Sequence, residues 1–188
     1  AVPLKVVSFE GLTGKPLDDM VDGRYPCSVC GVFRRYLLNR HAKGYDLIAT
    51  GHNLDDEAQS VLMNLVKGHK DLLRRMHARS PHVEGFVPRI KPFLFLPERL
   101  ILAYTIVRGL SLRYVECPYA HRSLRAQVRD VLNRYEQDSP GMKRSLVEAA
   151  LRFSVGGSGE SFVPCPVSGE PSLDGVRRPR RLREQVSS

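Results

Sequence analysis

The chain has 188 residues, 42% of them hydrophobic, and a net charge of +9. That length suits one domain, or one domain with a small appendage, and the apolar content is enough for a core. No apolar run approaches the roughly 20 residues of a membrane-spanning helix, no signal-peptide pattern is visible at the start, and the charge favours a polyanionic partner, nucleic acid first, over an inert basic surface.

Leu4 to Phe9 (LKVVSF) reads as a short strand, and the turn-rich connection after it holds one helical turn at Leu17–Val21. Val32 to Ala42 reads as a helix, because Phe33, Tyr36 and Leu37 recur at helical spacing. Tyr45 to Thr50 (YDLIAT) reads as a buried strand ending at Gly51. Asp55 to Val66 reads as a helix with Ala58, Val61, Leu62, Leu65 and Val66 as its apolar stripe and Gly68 as its stop. Strand, helix, strand, helix over 4–66 predicts a parallel, doubly wound α/β sheet. Lys67 to Lys91 is a basic connector, with seven Lys and Arg, Arg74, Arg75 and Lys91 among them, against Asp71 and Glu84. PRIKPFLFLP reads as partly extended, Glu98 to Arg108 as a helix stopped by Gly109, and Leu112 to Glu116 as a strand that delivers Cys117 at its carboxyl end. Leu124–Tyr135 and Lys143–Phe153 read as two helices separated by Pro140-Gly141. The domain is expected over 1–154, with 155–188 a flexible basic tail rich in Gly, Ser and Pro before RRPRRLR.

Three groups of residues carry chemistry. Cys27 and Cys30 are three apart and can converge on one ion, and Cys117 at a strand's carboxyl end could face the same crevice. Three thiolates fall short of a closed tetrahedral zinc site. They suit an iron–sulfur cluster with one iron open, or a zinc completed by water or another residue. A dithiol redox pair with Cys117 merely buried is the plainer alternative. In TGHNLDDEA, a strand ending at Gly51 lets the backbone approach a ligand. Asn53 or Asp55 can cap the next helix, and Asp55 and Asp56 suit its positive end. One of these aspartates could instead hold magnesium beside a nucleotide phosphate, with His52 as a ligand or polar contact. Arg34 and Arg35 point about 100° apart on a helix, so one at most faces a given phosphate. Arg122, Arg125 and Arg129 form either a basic stripe for a phosphate backbone or a solvated helix face. Cys165-Pro-Val-Ser168-Gly169 looks like half of a zinc knuckle whose second thiol is replaced, so no structural zinc is expected there.

CSVCGVFRRYLLNRHA, DLIATGHNLDDEAQSVLMNLVKG, RIKPF and YVECPYAHRSLRAQVRDVLNRYEQDSP together resemble the tRNA 2-thiolation enzymes, the TtcA/TtuA-type PP-loop ATPases, over roughly residues 4 to 153. The resemblance implies an α/β Rossmann-like adenine nucleotide α-hydrolase (PP-loop) fold. It implies ATP- and Mg2+-dependent adenylylation of a tRNA base carbonyl, of uridine or ribothymidine, and replacement of that oxygen by sulfur. On these matches Cys27, Cys30 and Cys117 hold a [4Fe–4S] cluster, Gly51, His52, Asp55 and Asp56 lie on the nucleotide side, and Asp55 is the catalytic aspartate. Arg34 stands where such enzymes often place a catalytic lysine. Arg74, Arg75, Lys91, Arg122, Arg125 and Arg129 suit contacts to the tRNA backbone. A sulfur donor, possible as a ubiquitin-like thiocarboxylate carrier, a homodimer and a cytoplasmic setting are implied in the same way, with no membrane association. The family's phosphate-binding loop, Ser-Gly-Gly-Lys-Asp-Ser, belongs ahead of LKVVSF and is not in the sequence, so the chain reads as N-terminally truncated, without the first strand and the ATP loop. A non-catalytic tRNA-binding or assembly protein on the same scaffold is the alternative that this leaves open. A Cys-x-x-Cys redox protein is a second rival, which leaves Cys117 and the basic segments unexplained.

Overall fold

A computed structural model describes residues 2–20, 26–111, 116–120 and 123–155, with short pieces at 163–164 and 171–172. The chain divides into two compact units, Ala1–Asp46 with His82–Val87 and Glu160–Ser188, and Leu47–Pro81 with Pro88–Gly159.

The first unit is built on three helices, α1 (Glu10–Thr13), α2 (Leu17–Met20) and α3 (Pro26–His41). α1 closes on Gly14, whose φ of 72° lets its N–H reach the Glu10 carbonyl. α3 begins at Pro26, six residues before the apolar repeat predicts, so Cys27 and Cys30 lie on a helix and not in a loop. Proline suits a first helical turn, where its fixed φ is already helical and its missing N–H breaks no bond. Val32, Phe33 and Leu37 are the buried residues of α3, and Val32 and Phe33 pack with Phe9, Leu12, Met20 and Val29. The Phe9 and Phe33 ring centroids are 6.2 Å apart. Asn39 clamps 82–87 to this helix: its Nδ2 donates to the Gly85 carbonyl at 3.2 Å and its Oδ1 accepts the Val87 N–H at 3.1 Å. The strand expected at Leu4–Phe9 does not form; residues 2–8 are exposed and unassigned, and Phe9 leads into α1. An apolar stretch becomes a strand only where a neighbour supplies ladder bonds, and no described segment does so here.

The second unit carries a parallel pair, β1 (Ile48–Ala49) and β2 (Arg89–Ile90), with Ile48 opposite Arg89 and Ala49 opposite Ile90. Parallel pairing needs a crossover, and the chain supplies it through α4 (Leu54–Val66) and α5 (Lys70–Arg74). The other edge of β2 is held by residues 78–80: Ser80 N–H donates to the Arg89 carbonyl at 2.9 Å and Lys91 N–H to that of Ala78 at 3.0 Å. The strand expected at Leu112–Glu116 lies outside the described residues apart from Glu116. Beyond β2 follow α6 (Glu98–Val107), α7 (Leu124–Asp138) and α8 (Met142–Val155). Leu54, Ala58 and Val61 of α4 pack with Val128 and Leu132 of α7 and Val147 and Ala150 of α8 in one core, joined by Met76 and Leu94. Leu65 and Val66, expected in the apolar stripe, are exposed, so the core ends one turn before α4 does.

The tail expected at 155–188 falls almost wholly outside the described residues, which there show only an antiparallel pair, β3 (Val163–Pro164) with β4 (Pro171–Ser172). No described helix is long and apolar enough to cross a membrane.

Leu132→Ala should cost about 2–5 kcal/mol, because it removes a buried side chain from the centre of the three-helix core. Leu65→Ala should cost no more than about 0.5 kcal/mol, as expected of an exposed position. Urea unfolding followed by circular dichroism measures both.

Candidate functional site

β1 ends where the Thr50 N–H donates to the Ile90 carbonyl at 2.9 Å, and Gly51, His52 and Asn53 lead from there into α4. The carboxyl end of a parallel strand followed by a helix N-terminus is where open α/β sheets place their ligands. A Cβ built on Gly51 would meet nothing within 4 Å, and its φ is not left-handed. Neither packing nor backbone strain among the described residues calls for glycine there. His52 is exposed, with Nδ1 2.9 Å from the Thr50 hydroxyl.

The two adjacent aspartates have separate tasks. Asp56 forms a reciprocal capping box with Asn53: its N–H donates to Asn53 Oδ1 at 2.9 Å, and its Oδ2 accepts the Asn53 N–H at 3.2 Å. Asp55 points to a buried lysine. Lys143 Nζ, on α8, donates to Asp55 Oδ1 at 2.5 Å and to Asn133 Oδ1 on α7 at 2.6 Å. The other oxygen of Asp55 accepts the Glu98 N–H, the first of α6, at 2.7 Å. The Lys143 and Asp55 side chains are only 9% and 13% exposed. Sequence reasoning placed Lys143 merely at the start of a helix. A contact across 88 positions leaves no local pattern, and the one available signal is a lysine on the apolar side of an amphipathic repeat.

The basic residues read as phosphate contacts are distributed unevenly. Lys91 Nζ meets Glu57 Oε2 at 2.8 Å, and the Glu57 side chain is 5% exposed, so this lysine neutralises a buried carboxylate. Burial, and then the Lys91 charge, lower the pKa of His77 from its ordinary 6.5. Arg74 is exposed on α5 and Arg75 is partly buried just after it. Arg125 Nη1 donates to Gln59 Oε1 at 3.0 Å and Nη2 to the Ser60 hydroxyl at 3.3 Å, with Asp56 at 3.8 Å, which ties α7 to α4. Arg129 stands 3.7 Å from Glu116 and from Asp130 and, like Arg125, remains nearly half exposed. Arg122 lies outside the described residues.

Cys27 and Cys30 form no disulfide and lie one turn apart at the start of α3, the first exposed and the second half-buried. Positions i, i+3 and i+7 share a helix face, so Arg34 lies on the face of both thiols, and it is exposed. Arg35 turns away, its guanidinium beside Gly31. Cys117, also without a disulfide and exposed, belongs to the second unit, where its carbonyl accepts the Ala120 N–H at 2.9 Å in the turn ahead of α7. Within either unit, no described group of three His, Cys, Asp or Glu converges as a metal site. The donor chemistry nonetheless fits an iron–sulfur cluster, since unbridged thiols one helical turn apart can bind two irons of one cluster. Cys165, Ser168 and Gly169 lie outside the described residues.

No family model matches the chain. It is 36% identical over 152 residues to the tRNA-5-methyluridine(54) 2-sulfurtransferase of Pyrococcus horikoshii, across 80% of this chain and 49% of that one. It is 39% identical over 160 residues to the cytoplasmic tRNA 2-thiolation protein 1 of Drosophila grimshawi, across 81% of this chain and 47% of that one. Among solved structures, the U34-tRNA thiolase NcsA from Methanococcus maripaludis with its [4Fe-4S] cluster matches with a TM-score of 0.77 and 33% identity, over 97% of this chain and 59% of that one. The fold is therefore the Rossmann-like α/β fold of the PP-loop thiolases. The chain belongs to the tRNA 2-thiolation family of sulfurtransferases and spans about half the length of the curated relatives it matches.

Lys91→Met should cost about 3 kcal/mol or more by leaving Glu57 buried and unpaired. It should leave the salt dependence of RNA binding unchanged. Arg129→Ala should barely alter stability and should lower the salt slope by about one. Thermal melting and filter binding over a salt series measure the pair.

Proposed function

We propose that this chain provides the thiol-bearing and nucleotide-side elements of an ATP-dependent tRNA 2-thiolation sulfurtransferase that works in the cytoplasm. The observation that carries the reading is the match to a thiolase structure over nearly the whole chain, at 33% identity. In this reading Cys27 and Cys30 on α3, together with Cys117, hold a [4Fe–4S] cluster. Three protein thiolates would leave one of its irons open, and the cluster, when bound, would hold there the donor-derived sulfide that replaces the base oxygen.

The remaining roles fall to groups whose settings suit them. Gly51 admits the nucleotide to the backbone at the start of α4, where the helix dipole favours phosphate. Asp55 is the first-turn carboxylate engaged neither in the Asn53 capping box nor with Lys91, and it holds Mg2+ beside the ATP phosphates. Asp56 keeps the helix end in shape, and His52 lines the turn. Arg34, on the face of the two thiols, offsets negative charge as the adenylate leaves the base; its fork is broader than the lysine ammonium found in related enzymes. Arg74, Arg75, Arg122, Arg125 and Arg129 contribute to tRNA phosphate binding. The sulfur donor is a small thiocarboxylate carrier or free sulfide, and the working form is a homodimer.

Anaerobic purification of the complete protein, with iron and acid-labile sulfide assays and an absorption spectrum, tests the cluster. About four irons per chain, lost in Cys27→Ala and in Cys117→Ala alike, is the expected result. Zinc in place of iron, or iron that survives Cys117→Ala, would remove the three-thiol site and leave a basic RNA-binding scaffold.

A further inference from the structure

We propose that Lys143 is a positioning residue for Asp55: its buried ammonium fixes the carboxylate at the mouth of the nucleotide site. The inference rests on the assignment of Asp55 made above.

Three observations support it. Lys143 is buried although lysine is seldom so unless paired, and both described partners of its Nζ are side-chain oxygens, Asp55 Oδ1 and Asn133 Oδ1. Asn133 and Lys143 come from two different helices, α7 and α8, that pack on α4, so the ammonium is aimed from a rigid frame. The second oxygen of Asp55 is engaged by the Glu98 N–H, which as the first amide of α6 has no acceptor inside its own helix. With one bond to each oxygen the carboxylate plane is fixed, while each oxygen keeps a further lone pair for a ligand.

A capping role would not need any of this. α4 already has its cap in Asn53 and Asp56, and α6 would tolerate a water on Glu98 N–H. A buried ion pair is also a poor choice for stability alone, since apolar residues of similar volume commonly do as well or better. What the pair supplies is orientation, and a reacting carboxylate needs that to within a fraction of an ångström.

The test uses the complete protein in four forms: Lys143→Met, Asn133→Ala, Asp55→Ala, and Asp55→Ala with Lys143→Met. Two properties are read below the melting point of each. The first is amide exchange at Glu98, which reports where the Asp55 carboxylate sits without any turnover. The second is steady-state tRNA thiolation. Lys143→Met should lower Glu98 protection at least tenfold while neighbouring α6 amides keep theirs. It should lower kcat at least tenfold with KM for tRNA within twofold, and the double variant should be no worse than Asp55→Ala. Lys143→Arg should restore part of both properties. If Lys143→Met is too unstable to assay, Asn133→Ala carries the test, with smaller losses of the same two kinds. Unchanged Glu98 protection and kcat in the lysine and asparagine variants, with Asp55→Ala inactive, would overturn the positioning role alone. An active Asp55→Ala would overturn the assignment of Asp55 and the positioning role with it.

Discussion

An ammonium group removed from water and shared between Asp55 and Asn133 joins three helices of the second unit, α4, α7 and α8. It reaches from α8 to the first turn of α4, takes in α7, and through the second oxygen of Asp55 meets the first amide of α6. Removing one partner of such a pair costs about 3–5 kcal/mol, because the other is left charged and buried. The neighbouring apolar contacts of Ala58, Val61, Leu132 and Val147 hold the three helices together. The ion pair adds a directional contact close to where the chain leaves β1.

Charge is used in two ways in the same unit. Lys91 with Glu57 and Lys143 with Asp55 place cations inside, where each answers one buried carboxylate. Arg125 and Arg129 stay near the surface, with weak ionic neighbours at 3.7–3.8 Å, and Arg125 also donates to Gln59 and Ser60. The two internal pairs cancel within the net charge of +9, so the whole excess lies on the other charged residues.

The long amphipathic helices were legible because their repeats are regular: Asp55–Val66, Leu124–Tyr135 and Lys143–Phe153 differ from α4, α7 and α8 by at most three residues at either end. The start of α3 was not, because Pro26 to Gly31 carries no apolar repeat, and helix geometry there comes from the proline and from continuity with Val32 and Phe33. Leu4–Phe9 misled for the opposite reason, since its composition favours a strand but no described neighbour pairs with it. Of the proposed site, the cap at Asn53 could be read from its place between a strand and a helix. How Asp55 and Asp56 divide their work could not, because the partner that separates them, Lys143, lies 88 positions away. The sequence likewise offers no way to tell that Lys91 faces inward while Arg129 faces out.

The most direct measurement is nucleoside mass spectrometry of tRNA incubated anaerobically with the complete, cluster-loaded protein, ATP, Mg2+ and sulfide. A 2-thio nucleoside that appears with ATP and not without it, and that is lost with Asp55→Ala, is the predicted result. Thio nucleoside formed equally with and without ATP, or none from protein whose cluster is intact, would contradict the account.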